Sequence, residues 1–303
     1  MVKVRAGPME KWPPPENPMA RSLAFVALIA GGAALGLSPI FVRLSDVGPT
    51  ASAFWRLALA VPVLWLWVVL HQPTRALARP SLRNASVLAG IFFAADLGVW
   101  HWSIVYTTVA NSTLLANFAP IFVTLGGWWL FRQHVSGFFV AAMITALAGT
   151  TLLVGPSFGL GEQRVLGDAL GLLTAVFYAA YMLSIKRARE TVSTATLMAF
   201  STTVSVLLLF PVALLSPQPM LPAGLDGWLV LLGLALVSQV LGQSLIAYAF
   251  AHLSAALSSV TVLVQPVVAT ALAWTLFSET LDVAQLLGGA LVLIGIFVAR
   301  RTG

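Results

Sequence analysis

Residues 117–131 read NFAPIFVTLGGWWLF, and residues 263–277 read LVQPVVATALAWTLF. Both stretches are apolar, and in both a tryptophan follows eight residues after a proline, Pro120 in the first and Pro266 in the second. A proline inside a helix removes a backbone hydrogen bond and clashes with the preceding turn, at a cost of about 3 kcal/mol in water. Repetition of so costly a feature in one register indicates that the two stretches share an ancestor.

The similarity extends on both sides of these stretches. A shift of 146 residues, with no gap, aligns 110–149 with 256–295. The further identical pairs are Ala110 with Ala256, Ser112 with Ser258, Thr124 with Thr270, Leu147 with Leu293 and Gly149 with Gly295. Self-similarity at one fixed offset is the sequence signature of an internal repeat. We therefore interpret the chain as a duplication.

The composition is that of an all-α integral membrane protein. Of 303 residues, 59% are hydrophobic and 9% are charged, whereas soluble domains carry about 25% charged residues. The net charge of +6 comes from short loops, not from one basic face, so no nucleic-acid partner is expected. The chain contains no cysteine, which excludes disulfides, cysteine-ligated metals and thiol catalysis.

Ten segments are long and apolar enough to cross a bilayer as helices of about 20 residues. Their approximate limits are 22–42, 51–70, 85–105, 109–130, 137–155, 168–185, 194–216, 227–250, 255–277 and 282–299. Residues 1–21 are polar and contain five prolines, which predicts a disordered cytoplasmic tail. The first apolar run is too long for the core of a signal peptide, and we expect it to be retained as a span.

The distribution of Lys and Arg predicts the orientation of the chain. With the N-terminus inside, thirteen of the sixteen basic residues lie on the cytoplasmic side, as the positive-inside rule requires. We therefore expect a multi-pass protein of the cell inner (plasma) membrane with both termini cytoplasmic. The two repeats, 22–155 and 168–299, hold five spans each, and because five is odd they must have opposite orientations in the membrane.

Inverted repeats predict a mechanism. Two related halves of opposite orientation can exchange conformations around a central cavity near the bilayer midplane, which gives alternating access to the two sides. Pro120 and Pro266 would bend the matching fourth and ninth spans beside this cavity and contribute to gating. A kink that only improves packing between helices is the alternative for these prolines.

Ionisable residues inside spans are candidates for function because they are costly in lipid. Asp96, Trp100, Ser103 and Thr107 share one face of the third span at the spacing of a helix, and this face is predicted to point inward. His101 lies about 100° away from it. Asp96 and His101 are candidates for proton coupling, and a structural role for Asp96, bonded to a neighbouring helix, is the alternative.

Arg56 lies near the outer end of the second span, and we expect its side chain to snorkel to the lipid headgroups. The remaining candidates for substrate binding are uncharged and come from several spans. They are Asn117, Tyr178, Tyr181, Gln243 and Gln265. Amide side chains also bridge helices in membranes, so each has a structural alternative. Together they predict an aromatic-walled, polar cavity for neutral or zwitterionic small molecules.

Three stretches resemble a known family. TTVANSTLLANFAPIFVTLGGWWLF at 107–131, LSAALSSVTVLVQPVVATALAWTLFSET at 253–280 and GLSPIFVRL at 36–44 are similar to the EamA-like branch of the drug/metabolite transporter superfamily. The resemblance covers the chain after residue 21, and DLGVWHWSIVYTTVAN at 96–111 is most similar to amino-acid exporters of the YddG type. It implies ten helices and a central cavity lined by spans 1, 3, 4, 6, 8 and 9.

The sequence and the resemblance together predict a secondary transporter that exports small metabolites, amino acids and aromatic ones among them. A multidrug or other metabolite exporter is the main alternative, and a passive channel is the alternative from another class. The chain is not expected to be an enzyme or to carry a cofactor or metal. The expected partners are the substrate and the lipid bilayer, with the proton as the candidate coupling ion.

Overall fold

The computed structural model describes residues 18–71, 80–154, 162–278 and 280–302. The described chain is a bundle of helices: α1 (Pro18–Gly36), α2 (Ser38–Leu44), α3 (Pro49–His71), α4 (Pro80–Tyr106), α5 (Val109–Ala116), α6 (Ala119–Phe131), α7 (Gly137–Val154), α8 (Glu162–Ala188), α9 (Thr194–Leu214), α10 (Leu225–Gly233), a π-helix (Leu234–Gln243), α11 (Ser244–His252), α12 (Ala255–Val262), α13 (Val264–Phe277) and α14 (Val283–Thr302).

Ten spans in the described residues are long and apolar enough to cross a membrane, and they confirm the prediction from sequence. They are Pro18–Leu44, Pro49–His71, Asn84–Tyr106, Asn111–Phe131, Gly137–Val154, Val165–Ala188, Thr194–Leu214, Leu225–His252, Ala255–Phe277 and Val283–Thr302. We number these spans 1 to 10. Spans 1, 4, 8 and 9 are each built from more than one helix.

Helix α1 begins at Pro18, so the last four residues of the tail predicted over 1–21 are helical. Proline is favoured in the first helical turn, because its missing N–H has no partner there and its φ angle already suits the helix. The rest of the predicted tail lies outside the described residues.

Spans 4 and 9 are interrupted at matching positions. Asn117 follows α5 and Leu263 follows α12, and both residues have ψ angles near zero, at −5° and −4°. Each interruption lies just before the proline of its stretch, because a proline cannot donate to the carbonyl four residues earlier. The start of each broken span is capped in the same way, since the side chains of Thr108 and Ser254 each accept a backbone N–H three residues on. Both pairs are separated by 146 residues, as the repeat requires.

The far ends of spans 4 and 9 also match. Arg132 and Ser278, again 146 residues apart, have positive φ angles of 51° and 55° in the left-handed region, which L-residues other than glycine seldom adopt. The paired tryptophans, Trp128 and Trp274, are 59% and 54% exposed. They therefore lie on the outside of the bundle, where tryptophan anchors helices at the membrane surface, and not in the cavity.

Helices α7 and α14, the last spans of the two repeats, pack closely through small residues. A methyl group added to Gly149 would lie 2.6 Å from the carbonyl oxygen of Gly288, and one added to Gly295 would lie 2.7 Å from the carbonyl oxygen of Ala142. The two contacts are related by the 146-residue offset, since Gly149 corresponds to Gly295 and Ala142 to Gly288. The interface is therefore self-complementary, with the close backbone approach that small residues permit between membrane helices.

The remaining spans surround a central space. Helix α8 packs against α4 and α5, α3 packs against α9 and the π-helix, and α1 packs against the π-helix, α11 and α13. Contacts between the repeats thus run along both sides of the bundle, and they leave the broken spans 4 and 9 facing the interior.

A candidate substrate cavity

A cavity of about 550 Å³ lies between the two repeats, within the range of small-molecule sites. Its lining includes residues from the middle of the bundle, namely Asp96, Trp100, Asn117, Thr174, Tyr178, Gln243 and Gln265. It also includes residues at one end of the bundle, namely Arg43, Val154, Phe277, Leu281 and Gln285. The cavity therefore extends from the centre of the bundle to the end where α2 and α13 finish. We call this end the mouth.

At the mouth, Arg43 of the first repeat lies against Phe277 of the second. The guanidinium carbon is 4.0 Å from the centre of the phenyl ring, which is a favourable cation–π distance. This contact joins the ends of spans 1 and 9, and both residues line the cavity.

The cavity does not extend to the opposite end of the bundle, since none of its described lining residues lies there. The ammonium group of Lys186, near the end of α8, donates to the carbonyl oxygens of Phe250 and Leu253 at 2.9 Å each. These carbonyls belong to the last turn and C-cap of α11, where backbone carbonyl oxygens lack N–H donors within their own helix. Packing of α6 on α12 brings spans 4 and 9 together.

Most of the predicted site residues lie on the cavity. Asp96, Trp100, Asn117, Tyr178, Gln243, Gln265 and Pro266 all line it. The structure places His101, Tyr181 and Pro120 behind the lining. Their roles and those of the lining residues stay predictions, because position alone does not show binding.

His101 contacts span 2 instead of the cavity. The hydroxyl of Thr50 lies 2.6 Å from an imidazole nitrogen of His101. The outer part of the predicted inward stripe behaves similarly, because Ser103 donates to the carbonyl oxygen of Gly167 at 2.7 Å. Thr107 donates to the carboxylate of Asp168 at 2.8 Å. The stripe therefore divides: its inner half faces the cavity and its outer half joins span 3 to the start of α8.

Tyr181 supports the aromatic wall from behind. Its ring stacks on Phe93 at a centroid distance of 4.5 Å and lies 6.1 Å from the ring of Tyr178, nearly parallel to it. Its hydroxyl donates to the Gln243 side-chain oxygen at 3.3 Å. A buried tyrosine needs such a hydrogen-bond partner, and this bond fixes the amide of Gln243 so that its nitrogen is the end left to bind a ligand.

Arg56 was expected to snorkel to the headgroups, and this expectation is wrong. Its Nε donates to the side-chain oxygen of Gln239 at 3.2 Å, and Gln239 is fully buried. The guanidinium also lies 5.9 Å from the ring centre of Phe93, and Arg56 lines the cavity. A buried hydrogen-bond acceptor and an aromatic ring therefore hold the arginine inside the bundle.

Gln239 and Gln243 belong to the π-helix of span 8. A π-helix is rare, and where it occurs inside a longer helix it is frequently found at a functional site. The wider turn of the π-helix places Gln239 within hydrogen-bond distance of Arg56 and Gln243 within hydrogen-bond distance of Tyr181.

The model of the EamA-like transporter family matches residues 22–155 and again residues 165–301. The chain belongs to the EamA-like transporter family. The double match agrees with the internal repeat and with the matched interruptions of spans 4 and 9. It also confirms that this is a transporter family and not a family of enzymes.

Relatives of this EamA-like transporter are known in bacteria and archaea. The chain is 26% identical to the pseudopaline exporter of Pseudomonas aeruginosa over 80% of this chain and 84% of that protein. It is 26% identical to an uncharacterized transporter of Archaeoglobus fulgidus over 91% of this chain and 95% of that protein. A solved crystal structure with 19% identity superimposes with a TM-score of 0.79, covering 93% and 98% of the two chains, which shows a shared fold.

The family resemblance implied a lining from six spans, and the cavity also receives residues from spans 2, 5 and 10. In this EamA-like transporter span 2 contributes Ala53 and Arg56 to the cavity. The signal that pointed to Arg56 was present in the sequence, since an arginine within a span is a functional candidate by default. Its partner Gln239 lies 183 positions away, so only the packing of span 2 against span 8 shows where the side chain points.

Proposed function

We propose that this protein is an alternating-access exporter of small neutral or zwitterionic metabolites, with amino acids, aromatic ones included, as the substrate class. The observation that carries the proposal is a cavity between two inverted repeats that reaches one end of the bundle and not the other. A carrier needs one such state and its inverse, and two halves of opposite orientation supply both.

The chemistry of the lining supports the substrate class. Amide and hydroxyl groups from Asn117, Thr174, Gln243 and Gln265 are distributed around a wall that includes Trp100. Such groups bind polar ends by hydrogen bonds, while an aromatic wall suits an apolar or aromatic side chain. A strongly anionic substrate would need several basic residues at mid-membrane, and a strong cation several carboxylates.

Export is the proposed direction of transport. The positive-inside rule favours cytoplasmic termini in the inner membrane, and the pseudopaline exporter of Pseudomonas aeruginosa is, by its name, an exporter. With the termini inside, the mouth at Arg43 and Phe277 faces outward and the end of the bundle at Lys186 faces the cytoplasm. The described conformation would then be the one that releases substrate.

Counterflow in proteoliposomes tests this function. Purified protein is reconstituted into vesicles loaded with one unlabelled amino acid, and uptake of the same labelled amino acid is followed for each of the twenty standard amino acids. A carrier accumulates labelled amino acid transiently above its equilibrium level. Each time it releases an unlabelled molecule outside, its binding site faces the external solution and can bind a labelled molecule. Repeating the assay with an imposed pH gradient shows whether protons drive transport.

Two results would contradict the proposal. Simple equilibration of label, without transient accumulation, would indicate a channel. Counterflow of a hydrophobic drug with none of the amino acids would keep the carrier mechanism and replace the substrate class.

A further inference from the structure

Arg56 has most of its hydrogen-bonding capacity available. A guanidinium has five N–H donors, and among the described residues the one hydrogen bond that Arg56 makes is from Nε to Gln239 at 3.2 Å. The Gln239 side-chain nitrogen in turn donates to the hydroxyl of Thr202 at 3.1 Å. The guanidinium is therefore fixed through Nε, and its two terminal nitrogens remain for a ligand in the cavity that Arg56 lines.

Asp96 is the acidic counterpart. It is 8% exposed and lines the same cavity. Its carboxylate makes no hydrogen bond to any described residue, and no described Lys, Arg or His nitrogen lies within 4.0 Å of it. Buried charges in proteins are normally paired or neutralised, and among the described residues the charge that interacts with this carboxylate is the guanidinium of Arg56. With no hydrogen bond to that guanidinium, the carboxylate oxygens of Asp96 remain available to a donor on a ligand.

The two charges line the same cavity and do not form an ion pair with each other. We infer that Arg56 and Asp96 form a dipolar receptor: the terminal guanidinium nitrogens of Arg56 bind a substrate carboxylate, and the carboxylate of Asp96 binds a substrate ammonium group. The ligand class is a zwitterionic amino-carboxylate. This inference rests on the proposed function and specifies how its substrate is held.

The rest of the lining fits the same ligand. Gln265 also lines the cavity, where its side-chain amide interacts with Tyr178 and offers a polar group to an oxygen of the ligand. Trp100 and Tyr178, from spans 3 and 6, lie on the same cavity and offer apolar surface to the ligand side chain. The charges would select the amino-carboxylate end, and the aromatic wall would select the side chain.

The test measures three ligands that differ only in charge. Binding to the full-length protein in lipid nanodiscs is measured by calorimetry for the twenty standard amino acids, and the tightest ligand is chosen. Its decarboxylated amine and its deaminated acid, which keep the same side chain, are then measured. Wild-type protein is expected to bind the amino acid about tenfold or more tightly than either analogue, since each loses a hydrogen-bonded charge.

Three variants separate the roles of the two charges. In Arg56→Gln the advantage of the amino acid over the amine is expected to disappear, while its advantage over the acid persists. In Asp96→Asn the reverse is expected. Arg56→Lys keeps the positive charge but lacks the planar guanidinium that binds a carboxylate through two N–H groups. The affinity ratio of amino acid to amine is expected to lie between those of the wild type and Arg56→Gln. Each ratio compares ligands on one sample, so a smaller folded fraction does not change it.

The outcomes distinguish this inference from the proposed function. Binding of an amino acid with unchanged ratios in Arg56→Gln and Asp96→Asn would overturn the receptor assignment and leave the exporter intact. Unchanged ratios in Asp96→Asn together with loss of accumulation driven by a pH gradient would transfer Asp96 from ligand binding to proton coupling. Failure of the wild-type protein to bind any of the twenty amino acids would overturn both the receptor and the substrate class.

Discussion

The Nε of Arg56 in span 2 donates to the side-chain oxygen of Gln239 in span 8 at 3.2 Å. This bond joins the first repeat to the second at the edge of the cavity. It also fixes the amide orientation of Gln239, whose nitrogen is left to donate to Thr202 in span 7. Three spans are thereby connected through one buried glutamine, and the direction of the guanidinium depends on it.

Replacement of this glutamine is expected to disturb binding of the carboxylate. Gln239→Leu removes the acceptor that holds Arg56, so the affinity for an amino-acid substrate should fall about two- to twelvefold, corresponding to the 0.5–1.5 kcal/mol net contribution of one hydrogen bond. Affinity for the decarboxylated amine should change less, because the amine has no carboxylate for Arg56 to bind. Calorimetry with both ligands measures the difference.

Thr202→Val is the control for this variant. It removes the other hydrogen bond of Gln239 and keeps the acceptor for Arg56, so a smaller change in the ratio of the two affinities is expected. Equal losses for the amino acid and the amine in Gln239→Leu would assign Gln239 a structural role only.

The prolines of spans 4 and 9 are expected to matter for transport rate. In Pro120→Ala and Pro266→Ala the new N–H can donate to the carbonyl four residues earlier, which favours continuous helices across the interruptions at Asn117 and Leu263. Initial rates of counterflow should fall several-fold in each variant. Thermal unfolding in detergent should change little, because these prolines lie in the first turns of α6 and α13, where proline is well tolerated.

Pro62→Ala is the matched control, since Pro62 lies inside α3 and is exposed on the outside of the bundle. Its transport rate should equal that of the wild type. Wild-type rates for both Pro120→Ala and Pro266→Ala would leave packing as the role of the two interruptions.

Substitution by alanine is expected to affect stability differently at two adjacent glycines of α14. A methyl group at Gly288 would lie 2.6 Å from the backbone nitrogen of Leu153, whereas one at Gly289 has its nearest contact at 3.7 Å. Gly288→Ala is therefore expected to lower the free energy of unfolding by about 1–3 kcal/mol through overpacking. Gly289→Ala should leave it unchanged or raise it by up to about 1 kcal/mol, because alanine favours helix.

Unfolding in detergent, followed by tryptophan fluorescence, compares the two variants. A stable Gly288→Ala protein would show that α7 and α14 can separate without cost, which the self-complementary packing at Gly149 and Gly288 does not allow.

The membrane spans and the interruptions were predictable from sequence because their causes are local. A run of apolar residues specifies a span whatever surrounds it, and the position of Pro120 specifies where a helix has to end or bend. The direction of a side chain is not local. Arg56 and His101 point to partners in other spans, Gln239 and Thr50, and a polar residue satisfies its hydrogen bonds wherever a neighbouring helix offers a partner.

Periodicity was therefore reliable for part of the third span and misleading for the rest. Asp96 and Trp100 line the cavity as the helical spacing predicts. Ser103 and Thr107 continue the same stripe but bond to residues at the start of α8, because α8 approaches that end of α4 closely enough to cover it. The sequence specifies the face of a helix, and the packing of its neighbours specifies which part of the face remains open.

Two glycines without neighbouring atoms offer a direct test of orientation. Gly137, at the start of span 5, and Gly224, just before span 8, have no atom within 4 Å of an added Cβ, so a cysteine fits at either. The chain has no other cysteine. In intact cells a membrane-impermeant maleimide is expected to label Gly224→Cys at once and Gly137→Cys only after the membrane is permeabilised. The reverse pattern would place the mouth of the cavity on the cytoplasmic side and contradict export from the described state.

Trp100 and His101 are adjacent in the chain, but their side chains have different surroundings. Trp100 lines the cavity, whereas His101 lies 2.6 Å from the hydroxyl of Thr50. Truncating an aromatic residue at the centre of a binding surface commonly costs about 2 kcal/mol or more, which corresponds to about thirtyfold in affinity. Trp100→Ala is therefore expected to weaken amino-acid binding by about this factor, most strongly for ligands with large apolar side chains.

His101→Ala removes an aromatic ring from the next position of the same helix, and it serves as the control for Trp100→Ala. Its loss leaves the Thr50 hydroxyl without this partner, which should lower the thermal stability, while the order of affinities among the amino acids should stay that of the wild type. Trp100→Ala should change that order, because the aromatic wall selects the ligand side chain. A changed order in His101→Ala with an unchanged order in Trp100→Ala would place the substrate on the span 2 side of α4 and move the binding site away from the cavity.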